Sequence, residues 1–445
     1  MSVTAPLGFR AAGVAAGLKE SGDRDVAVVL NDGPSRAAAA VFTSNRVKAA
    51  PVLWTQQVVR GGRVGAVVLN SGGANACTGP LGFQDTHRTA ERLAATISDS
   101  ASEIAVCSTG LIGERLPMDK LLVGVDAAVA EASRGGGLAA ADAIRTTDTV
   151  IKIAFRKAGE GQGPAPQVMP PAGGVGGSSP QVSTAGGVGP SGSGVSPGSA
   201  VSPQVMPPAG GIGGSSPQVS TGYTIGGMAK GAGMLAPALA TMLCVLTTDA
   251  DLPTADLDSA LRAAVAVTFD RLDTDGCMST NDTVLLLASG AAGLRPDPGE
   301  FTATLTEVCA DLVRQLQLNA EGAGKAIAIE VVGAASGDDA VAVGRAVARC
   351  GLLKCAIGGE DPNWGRVLAA AGTTAAAFEP DRLNVAINGI WVCRNGCAGD
   401  DRSKVDLRPR DVTITLDLSA GPHAATIWTT DLTAAYVHEN SAYST

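Results

Sequence analysis

The chain has 445 residues, 45% hydrophobic and only 17% charged, enough apolar surface for two or three lobes with real cores and too much for a disordered protein. Its formal net charge of -9 and sequence pI near 5.0 exclude a general attraction to nucleic acid or anionic membrane and favour small-molecule partners. Aromatic residues reach only 3%, leaving few platforms for stacking bases, while 58 glycines suit close backbone packing.

In chain order, apolar runs predict buried strands at Val26–Leu30, Ala66–Asn70 and Ile104–Cys107. Between them the periodicity is helical. Thr86 reads as the cap of a helix reaching about Ser98, and Pro117 opens another that places Leu121, Leu122, Val125 and Val129 on one face. Past residue 241 a strand Met242–Thr247 is followed by helices near Leu257–Leu272 and Thr304–Leu318. Strands then dominate, at Ala326–Val332, Leu383–Ile387, Val412–Leu416 and Thr426–Thr429. The fold class is α/β (α+β).

The stretch 158–221 differs from everything around it, being built of Gly, Pro and Ser with almost no large apolar or charged side chains. Within it PQVMPPAGGVGGSSPQVST, starting at Pro166, recurs 37 residues later with one conservative change. Such copies have no apolar face to stack on one another, so the segment reads as a duplicated linker and not a solenoid. Its flanks, Ile151–Arg156 and Tyr223–Ile225, look like the two arms of a hairpin whose turn the insert has swollen, at a closure cost that grows only logarithmically with length.

Nine cysteines are scattered through apolar runs without paired CxxC knuckles; Cys393 and Cys397 stand closest and read as free thiols. The N-terminus lacks the basic start and apolar core of a signal peptide, and no apolar stretch nears the roughly 20 residues of a membrane span. A reduced, cytoplasmic protein with no metal is the expectation.

Chemistry has few obvious seats. The three histidines, His87, His423 and His438, offer little to a histidine-based nucleophile, and no nucleophile elbow, Walker loop or strand-linked dinucleotide motif is present. What remains is GGMAKGAGMLAPALATML at Gly226–Leu243, a Gly-rich loop with Lys230 that leads to Ala240-Thr241 and a buried strand. Taken alone it is either a tight turn or the precursor of an N-terminal threonine, whose freed α-amine, with a pKa of about 7.7–8.0, activates its own hydroxyl. Ser108-Thr109-Gly110, after the strand Ile104–Cys107, is either an ordinary strand-ending turn or a hydroxyl and an N–H set side by side for an oxyanion.

These stretches together resemble the ornithine acetyltransferases, also called glutamate N-acetyltransferases. The resemblance covers essentially the whole chain outside the insert. It rests on LNSGGANACTG at Leu69–Gly79, STGLIGERLP at Ser108–Pro117, TTDT at Thr146–Thr149, the Gly226–Leu243 stretch, STNDT at Ser279–Thr283, GGEDPNWGR at Gly358–Arg366 and HENSAYST at His438–Thr445.

The resemblance implies layered sheets and helices of the N-terminal-nucleophile-like, ornithine acetyltransferase/DmpA type, with a smaller C-terminal α/β lobe. It implies self-cleavage between Ala240 and Thr241 into an α chain 1–240 and a β chain 241–445, two of each assembling together. Thr241 is then the nucleophile, Thr109 and Gly110 the oxyanion hole, and Thr146, Lys230, Thr241, Glu321, Asn440 and Thr445 the substrate contacts. The substrates implied are N-acetylornithine and glutamate, with no cofactor; acetyl-CoA stays open as a co-substrate. The competing readings are an N-terminal-nucleophile aminopeptidase or amidase, in which water resolves the acyl-enzyme, and a non-catalytic amino-acid-binding protein. The chain departs from the family pattern in two places: Val150-Ile151-Lys152, where members carry proline before the lysine, and the long insert, for which an exposed loop and normal cleavage are expected.

Overall fold

In the computed structural model, which describes residues 2–159, 222–234 and 242–442, the apolar runs become strands buried on both faces. Met1–Glu160 and Ser220–Thr445 belong to one compact unit with three sheets. The first sheet takes Phe9–Val14, Val26–Asn31, Ala66–Asn70 and Ile104–Ser108 in that order, the last pair parallel. The second runs Ala38–Phe42, Thr283–Ala288, Leu243–Thr248, Tyr223–Lys230 and Lys152–Ala158.

Period-two alternation is hidden inside the continuous runs, because each strand feeds two different cores. Ala27, Val29, Val67 and Leu69 of the first sheet meet Leu243, Val245, Leu285 and Leu287 of the second in one cluster, so these two sheets face each other. The alternate residues Val26, Val28, Ala66 and Val68 point the other way, onto Leu93 of the helix Gly79–Ile97 and Leu121 and Val125 of the helix Met118–Glu131. On the far side Cys244, Leu246, Val284 and Leu286 pack on the helices Thr254–Val267 and Pro298–Leu318. The result is a four-layer helix–sheet–sheet–helix body. Truncating any of these leucines to alanine would cost about 2–5 kcal/mol.

The third sheet, in the order Cys397–Ala398, Ile390–Arg394, Asn384–Ile387, Asp411–Asp417, Ala326–Ala334 and His423–Thr430, builds the expected C-terminal α/β lobe. Its inward residues, among them Ile329, Val331, Ile414 and Leu416, share a core with Val343 and Val347 of the helix Gly337–Ala348.

The hairpin inferred at the flanks of the insert is present: Lys152–Ala158 pairs antiparallel with Tyr223–Lys230 from Lys152↔Ala229 to Ala158↔Tyr223. The insert itself lies outside the described residues. Ile151 packs against the core between the two facing sheets. Three helix boundaries differ from expectation, and one of them is the helix expected near Thr304–Leu318, which begins at Pro298 under an Asp297 side-chain cap. The helix assigned a start at Thr86 begins at Gly79 with Pro80 in its first turn, and Thr86 is interior. Its hydroxyl donates to the Gly82 carbonyl at 3.1 Å and accepts from Asn75 Nδ2 at 2.9 Å, so the polar group that looked like a cap is satisfied inside the helix. The helix near Leu257–Leu272 stops at Val267, because Thr268 leaves the helical region and a short 3-10 turn, Phe269–Arg271, follows.

Candidate active site

Strands Ala66–Asn70 and Ile104–Ser108 end level, with Asn70 opposite Ser108. Ser108 Oγ donates to Asn70 Oδ1 at 2.5 Å, and the Thr109 N–H donates to the Asn70 carbonyl at 3.0 Å. Thr109 is thereby carried, buried, to the edge of a cavity, with Gly110 beside it at φ +129°. A Cβ on Gly110 would stand 2.7 Å from the Gly73 backbone nitrogen, so only glycine fits. From the second sheet, Asn281 reaches across and donates to the Ala74 and Ser108 carbonyls at 2.6 and 2.8 Å, tying the two sheets together at this corner.

Lys230, the last residue of its strand, is 2% exposed and donates through Nζ to Thr109 Oγ1 at 3.0 Å. Burial pushes its pKa down, and the nearby Asp148 carboxylate pulls it back up. Asp148 is itself buried: its Oδ1 accepts from the Gly231 N–H at 2.7 Å and from the Lys152 ammonium, and its Oδ2 accepts from the Thr146 N–H at 3.2 Å. Burial works to raise this carboxyl, but the charges of Lys230 and Lys152 and the bonds from Lys152 and Gly231 outweigh it and hold the group below the ordinary carboxylate range.

Glu321 closes another wall. Its backbone N–H donates to the Ala232 carbonyl at 3.0 Å, and its Oε1 accepts from the Thr147 hydroxyl at 2.6 Å. Behind Asn281 lies Asp282, fully buried, whose Oδ1 accepts from the Met242 N–H at 2.9 Å. Burial raises this carboxyl well above its usual value against the opposing pull of the Met242 bond and the Lys230 charge. Met242 is the residue that follows Thr241.

Six residues named from the sequence, Thr109, Gly110, Thr146, Lys230, Glu321 and Asn440, line one cavity that opens to solvent. Asn440 enters it from the exposed C-terminal helix Ala434–Ala442, where its amide donates to the Tyr436 carbonyl. Ala240, Thr241 and Thr445 lie outside the described residues. Thr147, the close neighbour and alternative to Thr146, joins the wall, and three further contributors had not been singled out: Asn281, Asp148 and Asp282. All four sit inside the TTDT and STNDT stretches, and that proximity was the available signal. None of the three histidines lines the cavity; His87 stacks on Trp54 with ring centroids 4.9 Å apart. Among the described residues no group of three or more His, Cys, Asp or Glu is arranged to hold a metal ion.

A polar pocket with a lysine, a carboxylate and a hydroxyl–glycine corner, cut into a layered α/β body, defines an enzyme that handles small charged substrates. The model of the ArgJ family matches residues 10–188 and 215–445, leaving 189–214 of the Gly/Pro/Ser segment unmatched. The arginine biosynthesis bifunctional protein ArgJ of Thermobifida fusca is 65% identical over 445 residues, 100% of both chains. The protein called ArgJ 1 of Streptomyces clavuligerus is 59% identical over 444 residues, again 100% of both. Among solved structures, the ornithine acetyltransferase of Mycobacterium tuberculosis complexed with ornithine matches at 64% identity over 35% of this chain and 83% of that one, with a TM-score of 0.34. The chain belongs to the ArgJ family, and it is an acyltransferase of arginine biosynthesis.

Proposed function

We propose that the chain moves an acetyl group from N2-acetyl-L-ornithine to L-glutamate through an ester on Thr241, giving L-ornithine and N-acetyl-L-glutamate. The observation that carries the reading is the single cavity in which the Thr109–Gly110 corner, Lys230 and Glu321 face one another, at a strand whose next neighbour begins two residues after Thr241.

The nucleophile must first be made. Thr241 Oγ attacks the Ala240 carbonyl, the peptide C–N bond gives way to an ester, and water hydrolyses that ester to leave an Ala240 carboxylate and a free Thr241 α-amine. In turnover, Thr241 Oγ attacks the acetyl carbonyl, its α-amine takes the hydroxyl proton, and the tetrahedral oxyanion rests against Gly110 N–H and the Thr109 hydroxyl. The hydrogen bond from Lys230 polarises that hydroxyl and strengthens it as a donor. As the C–N bond breaks, the α-amine returns the proton to the leaving ornithine. Glutamate then attacks the acetyl ester through its own amine and frees Thr241. Glu321 pairs with a substrate ammonium, while Thr146, Lys230, Asn440 and Thr445 hold the remaining polar groups. No step requires a metal or redox cofactor.

Acetyl-CoA serves as a second acetyl donor in this reading, in keeping with the word bifunctional in the relatives' name. Two α and two β chains form the working enzyme, in the cytoplasm. The test is intact-mass analysis of the wild type beside Thr241→Ala, with ornithine release from acetylornithine measured with and without glutamate. Two fragments, a single uncut variant and glutamate-dependent release are expected. One intact wild-type band near 44.2 kDa would remove the mechanism, and release independent of glutamate would turn the reading into an amidase.

A further inference from the structure

Three elements meet at one buried carboxylate that the reaction as written does not use. Asp148 lies between the helix Gly137–Ala143 and the strand Lys152–Ala158. Its Oδ2 accepts from the backbone of Thr146 and its Oδ1 from the backbone of Gly231, the residue that follows Lys230. Lys152, fully buried, supplies an ammonium to the same Oδ1 and donates to Asn319 Oδ1 at 2.7 Å. A buried carboxylate with this many donors is rigid, and the segments it joins are the two that carry Thr146 and Lys230 to the cavity.

We propose that Asp148 is a positioning residue for acyl transfer, one whose two oxygens lock the Thr146 loop to the end of the Lys230 strand and so aim the Lys230 ammonium at the Thr109 hydroxyl. The inference rests on the function proposed above. Among the described residues, the charged and titratable groups around Lys230 include Asp148 and Lys152 at the entry to the hairpin, Asp282 before the strand Thr283–Ala288, and Glu321 after the helix Pro298–Leu318. Asp148 is the foremost of the anions that favour the protonated lysine there. The simplest rival is that Asp148 only neutralises buried Lys152, since a lone buried ammonium would be strongly destabilising.

Two variants separate these roles. Asp148→Asn should cleave and turn over about 10- to 100-fold more slowly, a typical cost of losing a supporting residue behind a catalytic group. The alkaline limb of its kcat profile should move to lower pH, because Lys230 surrenders its proton more easily without the carboxylate. Asp148→Asn/Lys152→Met removes both members of the buried pair and should recover most of the wild-type Tm. Its kcat should stay low, while the limb moves back toward the wild type because the Lys152 charge that lowers the Lys230 pKa is gone as well. Recovery of the wild-type kcat together with the Tm in the double variant would overturn the proposal and leave Asp148 as a counter-ion. The wild type run in parallel keeps the two readings apart. Glutamate-independent release would sink the acetyltransferase reading alone, and the same variants would then be scored on that hydrolysis.

Discussion

Lys230 in the four-layer body and Lys325 in the C-terminal lobe are both buried lysines, and their surroundings separate a charge that staples backbone from one that faces a cavity. Lys325 Nζ donates to the carbonyls of Leu407, Arg408 and Pro409 at 2.6, 3.1 and 3.3 Å, and its remaining reach goes to Glu360. Its head is saturated by a backbone turn, as a group that staples a lobe should be. Lys230 meets a side-chain hydroxyl at the wall of a cavity, beside a glycine that no other residue can replace. Burial alone does not mark function; what the charged head faces does.

The sharpest way to break this contrast is at the glycine. Gly110→Ala brings a methyl group against the Gly73 backbone and moves the N–H that would meet the oxyanion, so kcat should fall by about 10²–10³. If turnover survives within tenfold, measured on correctly folded protein, the corner is not an oxyanion hole. Next comes the lysine pair itself. Lys230→Met should lower kcat about 100-fold, whereas Lys325→Met should lower stability by about 2–4 kcal/mol in denaturant titrations and leave kcat of the folded enzyme within about twofold. Equal kinetic losses in the two variants would erase the distinction.

A third buried lysine sharpens it further. Lys354 donates to the Thr274 carbonyl at 2.5 Å and to Thr429 Oγ1 at 3.0 Å, and burial pushes its pKa down from 10.5 to about 8 against the pull of Asp275 and Asp273. Between those two values the unfolded chain binds the extra proton and the folded one does not, so the folded state gains stability as pH rises. Relative to Lys354→Met, the wild type should gain about 3 kcal/mol between pH 7 and pH 10.5, at 1.36 kcal/mol per unit. A stability difference flat over that range would mean the ammonium is held charged. The smallest effect belongs to the insert: replacing residues 160–221 by a short Gly-Ser turn should leave kcat within about twofold, because the pair Ala158↔Tyr223 already closes the ladder.

The body was legible in the sequence because strands covered on both faces must be apolar throughout, which is why Val26–Asn31, Ala66–Asn70 and Ile104–Ser108 announced themselves. Helix starts were less so: Thr86 has a capping residue's chemistry and an interior residue's partners. Thr109 and Gly110 were readable as residue types at a strand end, yet residue types alone favoured the ordinary-turn reading, and it is the Lys230 ammonium against the hydroxyl that sets the corner apart. Thr146 was named, but it is the neighbouring Thr147 hydroxyl that bonds Glu321, a distinction of one residue that follows from the local path of the chain. Asp148 and Asp282 were invisible as participants because their meaning comes from burial. An aspartate in a polar-looking TTDT or STNDT string reads as surface until the fold encloses it.

The ladder between Lys152–Ala158 and Tyr223–Lys230 has a use beyond holding Lys230. Its two ends, the pairs Lys152↔Ala229 and Ala158↔Tyr223, are six residue steps apart, about 20 Å along an extended strand. The candidate site sits at one end and the insert joins at the other. That makes the far end a natural graft point for cargo, where a fluorescent reporter, an affinity tag or a surface tether can hang from the enzyme while the pairing in between shields the pocket from whatever is attached.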